Sequence, residues 1–182
     1  VGVFATKAHK AQALDFPLDI AIRVIEFYED YFKVAYPLPH SWHIGLPDFS
    51  AGAMENWGAI TYREVALLAD PDNSTLASRQ YVALVIAHEL AHATGEYQQI
   101  NHNKNNLAQF ESPTDYAMAR AKAEGEAIYY EFLVAKELGY SAFKKPVWHH
   151  TDVAPTNPDI YQAVDAIASA ASSQAEKITA LA

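Results

Sequence analysis

Residues 82–95 read Val-Ala-Leu-Val-Ile-Ala-His-Glu-Leu-Ala-His-Ala-Thr-Gly and contain His88-Glu89-Leu90-Ala91-His92, the pattern H-E-x-x-H. On a helix, residues four apart lie one above the other on one face. His88 and His92 can therefore aim their imidazoles at a single metal ion. Glu89 sits one residue round from His88, close enough to hold a water beside that metal. Zinc takes neutral imidazole nitrogens and in catalytic sites keeps one position open. A carboxylate next to the open position can accept a proton and hand it to a leaving amine. The pattern is the sequence signature of zinc peptidases.

The surroundings support a helix here. Ser74 or Thr75 can cap its start, residues 76–93 contain neither Gly nor Pro, and Gly95 stands where a helix is expected to stop. Val82, Val85 and Ile86 should face the core and leave the histidine pair on another side. Upstream, Phe16-Pro17 opens a helix expected to run to about Lys33, with Ala21, Val24, Ile25, Tyr28 and Phe32 on its buried face. Residues 1–6 and 41–46 read as strands, and Pro37-Leu38-Pro39 separates the helix from the second of them. A further strand is expected over 59–67, after Gly52-Ala53-Met54-Glu55-Asn56-Trp57-Gly58. Downstream, 96–111 is polar and Asn-rich, a loop. Ser112-Pro113-Thr114-Asp115 is a strong helix start, and that helix should reach Leu138. Residues 144–157 form a Pro-containing loop before a last, Ala-rich helix.

Two histidines leave a zinc site short of a third protein ligand. Gln98 occupies the position of the third His in H-E-x-x-H-x-x-G-x-x-H, and Gln is a poor zinc ligand. Glu111 precedes Ser112-Pro113 and so falls in a loop. Glu124 and Glu126 share the long helix. At 100° per residue, Tyr116, Ile128, Phe132, Val134 and Leu138 cluster on one side with Glu124 among them, whereas Glu126 points the opposite way with Asp115, Lys122 and Lys136. A carboxylate on an apolar face is costly unless paired or bound to a metal. Glu124 is therefore the expected ligand, Glu111 the alternative by spacing, and Glu126 a solvated surface charge. Glu124 could instead pair with Arg120, four residues back. Glu131 is a candidate to orient a ligating histidine.

Composition narrows the classes. The 182 residues suffice for one domain, and half of them are hydrophobic. A net charge of −9 disfavours nucleic acid. The longest apolar run, 82–87, is too short to span a bilayer, so no membrane partner is expected. There is no cysteine, so a metal must be held by His and carboxylate. Without the basic-then-apolar order of a signal peptide, the expectation is a cytoplasmic protein. The chain opens at Val1 rather than Met, as a fragment or processed chain would.

Two motifs, Gly52-Ala53-Met54-Glu55-Asn56 and His88-Glu89-Leu90-Ala91-His92, together resemble the catalytic core of the M1 zinc aminopeptidases in order and separation. The resemblance covers about residues 1–92. It implies that the first motif is an edge strand bordering the active site, that Glu55 binds the free α-amine of a peptide, and that the backbone of Gly52, Ala53 and Met54 lines it. A carboxylate beside open, glycine-rich backbone suits that task, since an extended peptide can add to such an edge. After His92 the pattern departs from the family, which continues Gln-Trp-Phe-Gly-Asn where this chain has Ala93-Thr94-Gly95-Glu96-Tyr97. Glu111-Ser112 keeps the family's spacing to its third ligand, and Glu124-Gly125-Glu126-Ala127 keeps its residue pattern at longer spacing. The second half looks more like a different bacterial His-Glu-Leu-Ala-His zincin. The sequence is either a divergent zincin or a recombinant joined at that shared motif.

The expectation is one α+β catalytic domain, 1–182, of thermolysin-like zincin (gluzincin) type. Residues 1–70 would form a sheet-containing lobe and 71–182 a mainly helical one, the sheet packing on the metal helix and a second long helix. The expected function is zinc-dependent hydrolysis of peptides with a free N-terminus, with one zinc ion on His88, His92 and Glu124. Glu89 would be general base and acid, and Glu55, Gly52, Ala53 and Met54 would bind substrate. The oxyanion stabiliser stays open among Tyr129, Tyr130, His149 and His150. Alternatives are a zincin endopeptidase domain of toxin or effector type, and a zinc-binding scaffold without catalysis.

Overall fold

In the computed structural model, residues 1–94 and 112–137, with Ser173 and Glu176, are described. The expectations for Gly95, Gln98, Glu111, His149, His150, the 144–157 loop and the last helix lie outside them. Strand β1, Gly2–Phe4, leads through a short 3-10 turn into helix α1, Asp15–Phe32. Strands β2, Trp42–Leu46, β3, Ala53–Met54, and β4, Ala59–Arg63, follow, and then helices α2, Leu76–Thr94, and α3, Pro113–Glu137. The expected strand over 59–67 ends at Arg63, because Glu64–Ala66 turns into a 3-10 helix.

The four strands form one sheet in the order β1-β2-β4-β3. The pairs β1–β2 and β2–β4 are parallel, and β3 runs antiparallel to β4. Parallel neighbours need a crossover, and α1 supplies it between β1 and β2. The result is an α+β arrangement in which β3 forms one edge of the sheet. Gly58 turns the chain from β3 into β4 with φ +74, a conformation that side chains disfavour. A Cβ there would also lie 2.9 Å from Leu38 Cδ1.

The caps that the sequence announces are formed. Thr75 Oγ1 accepts from the Ser78 amide, and Ser112 Oγ accepts from that of Asp115, so each helix start satisfies one of its open donors. Helix α1 ends on Lys33 in the left-handed conformation, φ 57.

One core joins the layers. Ile20, Ala21, Val24 and Tyr28 of α1 meet Val82, Val85, Ile86 and Leu90 of α2, with Ile60 and Tyr62 from β4 and Ala127, Tyr130 and Val134 from α3. Every residue of 82–93 is buried, so α2 is enclosed on all sides rather than on one apolar stripe. Tyr28 donates a 2.9 Å hydrogen bond to the Ala87 carbonyl, directly before His88, and thereby ties α1 to the metal helix. Tyr130 packs edge-on against Phe32 and Tyr28, which brings α3 onto α1 as well as α2.

Beneath β4 lies a buried polar chain. His43 Nε2 is 3.2 Å from Ser41 Oγ, and His43 Nδ1 is 2.8 Å from the Tyr62 hydroxyl. Burial, with the Val1 amino group adding to it, lowers the His43 pKa to about 3. The folded protein thus keeps a neutral imidazole that the unfolded chain would protonate near pH 6.5. The His43 contribution to stability is fully present above that pH and is lost as pH falls from about 6.5 toward 3, at up to about 1.4 kcal/mol per pH unit. Denaturant unfolding at pH 7 and pH 5 should show this loss, and His43→Gln should make the loss about 2 kcal/mol smaller. Equal losses in both proteins would contradict it.

Candidate metal centre and active site

Helix α2 presents His88 and His92 one turn apart, with their Nε2 atoms 3.2 Å from each other. Glu124 of α3 completes the group. Its Oε2 lies 3.3 Å from His88 Nε2 and 3.6 Å from His92 Nε2. Among the described residues these three form the one cluster able to hold a metal ion. Donors about 2.0–2.1 Å from a tetrahedral ion stand about 3.3 Å apart. The three edges match that triangle, and two imidazoles with one carboxylate are a donor set that zinc accepts. The residues present therefore fit a zinc ion.

The electrostatics agree with a site built for a cation. Burial opposes charge on His88, but Glu124, Glu131 and Glu89 outweigh it and raise its pKa well above the ordinary value. Burial lowers the pKa of His92. Glu124 also meets a desolvation penalty, yet the two imidazoles hold its carboxyl far below the usual carboxylate range. On the other ring nitrogen, His88 Nδ1 lies 3.4 Å from Glu131 Oε2. A carboxylate in that position fixes the ring orientation and leaves Nε2 facing the triangle.

Glu89 is 1% exposed and lies next to His88 in the chain. Burial first, and then the Glu89 charge, push the Tyr62 hydroxyl well above its normal pKa, so Tyr62 keeps its proton next to Glu89. Glu55 follows the edge strand β3 directly and is also buried. Its negative charge acts on His92, which puts the Gly52–Glu55 corner and the metal helix on one site. Ala53 and Met54 pair with Tyr62 and Thr61. Asn56 anchors the far side, its amide donating to Thr61 Oγ1 at 3.1 Å.

One expectation is corrected. Glu126 is not a solvated surface charge: it is 3% exposed and accepts a 3.3 Å hydrogen bond from the Tyr130 hydroxyl. Helix α3 is covered on two sides, by α2 and by the aromatic residues of α1, so a helical wheel with a single buried face cannot sort its carboxylates. Glu124, the residue at the histidines, keeps 26% of its side chain exposed. Tyr130 also packs against the aromatic residues of α1. Tyr62, which feels the Glu89 charge, and its partner His43 were missed. The alternation of 42–46 and 59–63 could have placed both on the inner face of the sheet.

Residues 16–102 match the peptidase family M1 domain. This segment is similar to M1 peptidases. Both the Gly52–Asn56 and the His88–His92 motifs fall inside the M1 segment. Aminopeptidase N of Lactococcus lactis subsp. cremoris (strain MG1363) is 78% identical over 92 residues, 50% of this chain and 11% of that protein. Aminopeptidase N of Lactobacillus helveticus is 64% identical over the same length. Human aminopeptidase N is 40% identical over 157 residues, 85% of this chain and 14% of its own. An overlap that long includes Glu124 wherever it begins. The chain thus spans between about a tenth and a seventh of the length of these relatives.

The donor triangle predicts one zinc per chain. Metal analysis should find it lost in His88→Ala, in His92→Ala and in Glu124→Ala, but retained in Glu111→Ala. Full zinc in Glu124→Ala, with loss in Glu111→Ala, would move the third ligand to Glu111. Bound zinc should raise Tm, because its ligands come from two helices.

Proposed function

We propose that the chain is a zinc-dependent aminopeptidase catalytic domain of the thermolysin-like type, which hydrolyses the first peptide bond of substrates with a free N-terminus. The observation that carries the reading is the triangle of His88, His92 and Glu124, with the buried Glu55 at the end of edge strand β3 acting electrostatically on His92. The M1 match over 16–102 and the aminopeptidase N relatives support it.

In this reading His88, His92 and Glu124 hold zinc. The ion would supply Lewis-acid polarisation of the scissile carbonyl and a water of lowered pKa. Glu89 takes the proton from the attacking water and delivers it to the leaving amine. Its burial against Tyr62 keeps it in a dry setting where that exchange is strong. The edge of β3 receives the peptide as an added strand, with the backbone of Gly52, Ala53 and Met54 lining it. Glu55 pairs with the α-ammonium, which is cationic below a pKa of about 7.7–8.0. That ion pair sets the scissile bond one residue from the chain end, so binding energy is converted into position.

Two substitutions test the roles. Glu89→Gln should keep zinc while losing at least about a hundredfold in rate, the size expected for a missing general base. For Glu55, one peptide series with free and acetylated N-termini is compared in the parent protein and in Glu55→Ala. The parent should prefer the free amine, and the substitution should erase the preference and worsen both kcat and KM. Equal cleavage of both forms by the parent would favour the endopeptidase reading. Zinc at one equivalent with no cleavage of any peptide would favour the non-catalytic scaffold.

A further inference from the structure

The residue that closes β4, Arg63, makes three bonds onto one short stretch of chain. Its amide donates to the Gly52 carbonyl at 2.8 Å, extending the β3–β4 ladder by one step. Its Nε donates to the Phe49 carbonyl at 3.0 Å, and its Nη2 donates to the Ser50 carbonyl. The stretch 47–52 links β2 to β3 and delivers the chain into Gly52-Ala53-Met54-Glu55. Strand β3 has only two residues, Ala53 and Met54, a ladder to β4 too short to hold its own register in water. Pro47, Asp48 and Ser50 are exposed, and Phe49 and Ala51 are half-buried. Asn56 pins the exit of the corner to Thr61. At the entrance, Arg63 holds the Phe49 and Ser50 carbonyls.

We propose that Arg63 is the positioning residue of the amine-binding corner: its guanidinium clamps the Phe49 and Ser50 carbonyls and thereby fixes where the Glu55 carboxylate and the Gly52–Met54 backbone meet the peptide. The inference rests on the reading that Glu55 binds the α-amine. The chemistry suits arginine specifically. A guanidinium is planar and permanently charged, and it presents donors in a rigid fork that can engage two carbonyls together. A lysine ammonium is a point charge on a flexible stem and can restore one of the two contacts. Arg63 need not touch the substrate. Its effect is on the discrimination between free and blocked N-termini, because the position of Glu55 relative to the metal triangle sets that discrimination.

The experiment measures binding, so it does not depend on turnover. In the zinc-loaded Glu89→Gln protein, calorimetry gives the affinity for a tripeptide amide and for its N-acetylated form. The same pair is measured after adding Arg63→Lys, Arg63→Met or Glu55→Ala. Loss of two charge-assisted hydrogen bonds should reduce the free-over-acetylated preference by about tenfold or more in Arg63→Met, at unchanged zinc content, with Arg63→Lys in between. A folded, zinc-loaded Arg63→Met that keeps the full preference overturns the proposal. Should Arg63→Met not fold, Arg63→Lys decides: a several-fold reduction supports the proposal and an unchanged preference overturns it. The two readings separate on Glu55→Ala. If that substitution abolishes the preference while the Arg63 variants keep it, only the positioning role falls. If the Arg63 protein shows no preference, or Glu55→Ala leaves it intact, the amine-binding role fails and the positioning role with it.

Discussion

Three ionisable side chains meet in the contact between two helices, and the rest of the molecule is arranged to hold them there. His88 and His92 are buried, and their ring nitrogens stand within 3.6 Å of a glutamate oxygen. Taking such groups out of water is expensive unless charge and hydrogen bonding offset it. A cation at the centre offsets it at once, because one charge satisfies all three donors. Without it, shared protons and the flanking Glu131 must do so. The demand explains why α2 is enclosed all round. A helix with one face in water could let its histidines turn outward, whereas here α1, α3 and the sheet leave them one direction to point. The Tyr28 bond to the Ala87 carbonyl serves the same end, since it fixes the turn of α2 from which His88 projects.

The second demand is an edge. A substrate strand needs unpaired backbone, yet an open edge invites unwanted pairing. The protein meets both conditions with a strand of two residues, braced at its entrance by Arg63 and at its exit by Asn56. The brace is made by side chains reaching backbone carbonyls and a hydroxyl. Glu55 follows β3 directly, between these two braces.

Much of this was legible in the chain. His88-Glu89-Leu90-Ala91-His92 needs only helical spacing to be read, and Thr75 and Ser112 announce helix starts by local chemistry that the structure reproduces. Glu124 was reached through a wheel that put it on the buried side. The structure brings Glu124 to the histidines but shows it more exposed than Glu126 and Glu131. The wheel failed because α3 is gripped from two directions, and periodicity reports how many residues are apolar, not how many partners surround them. The pairing of His43 with Tyr62 was out of reach for a related reason. It joins strands that are neighbours in the sheet but separated in sequence by the whole β3 ribbon. Arg63 was read only as the middle of a strand, since nothing in its surroundings reveals that its head group turns back to carbonyls thirteen and fourteen positions earlier.

The mixed direction of the strands bears on how the chain finds its shape. Met54 need only reach Thr61, and a ribbon that local can close within the time of an ordinary hairpin. Gly2 must find Trp42 across the whole of α1, and parallel partners of that kind carry a larger loop-closure cost before any contact repays it. The metal triangle needs α3 to dock on α2 across a still different stretch of chain. The peptide-lining ribbon is thus the part that local sequence specifies most directly, and the charged centre is the part that waits on everything else.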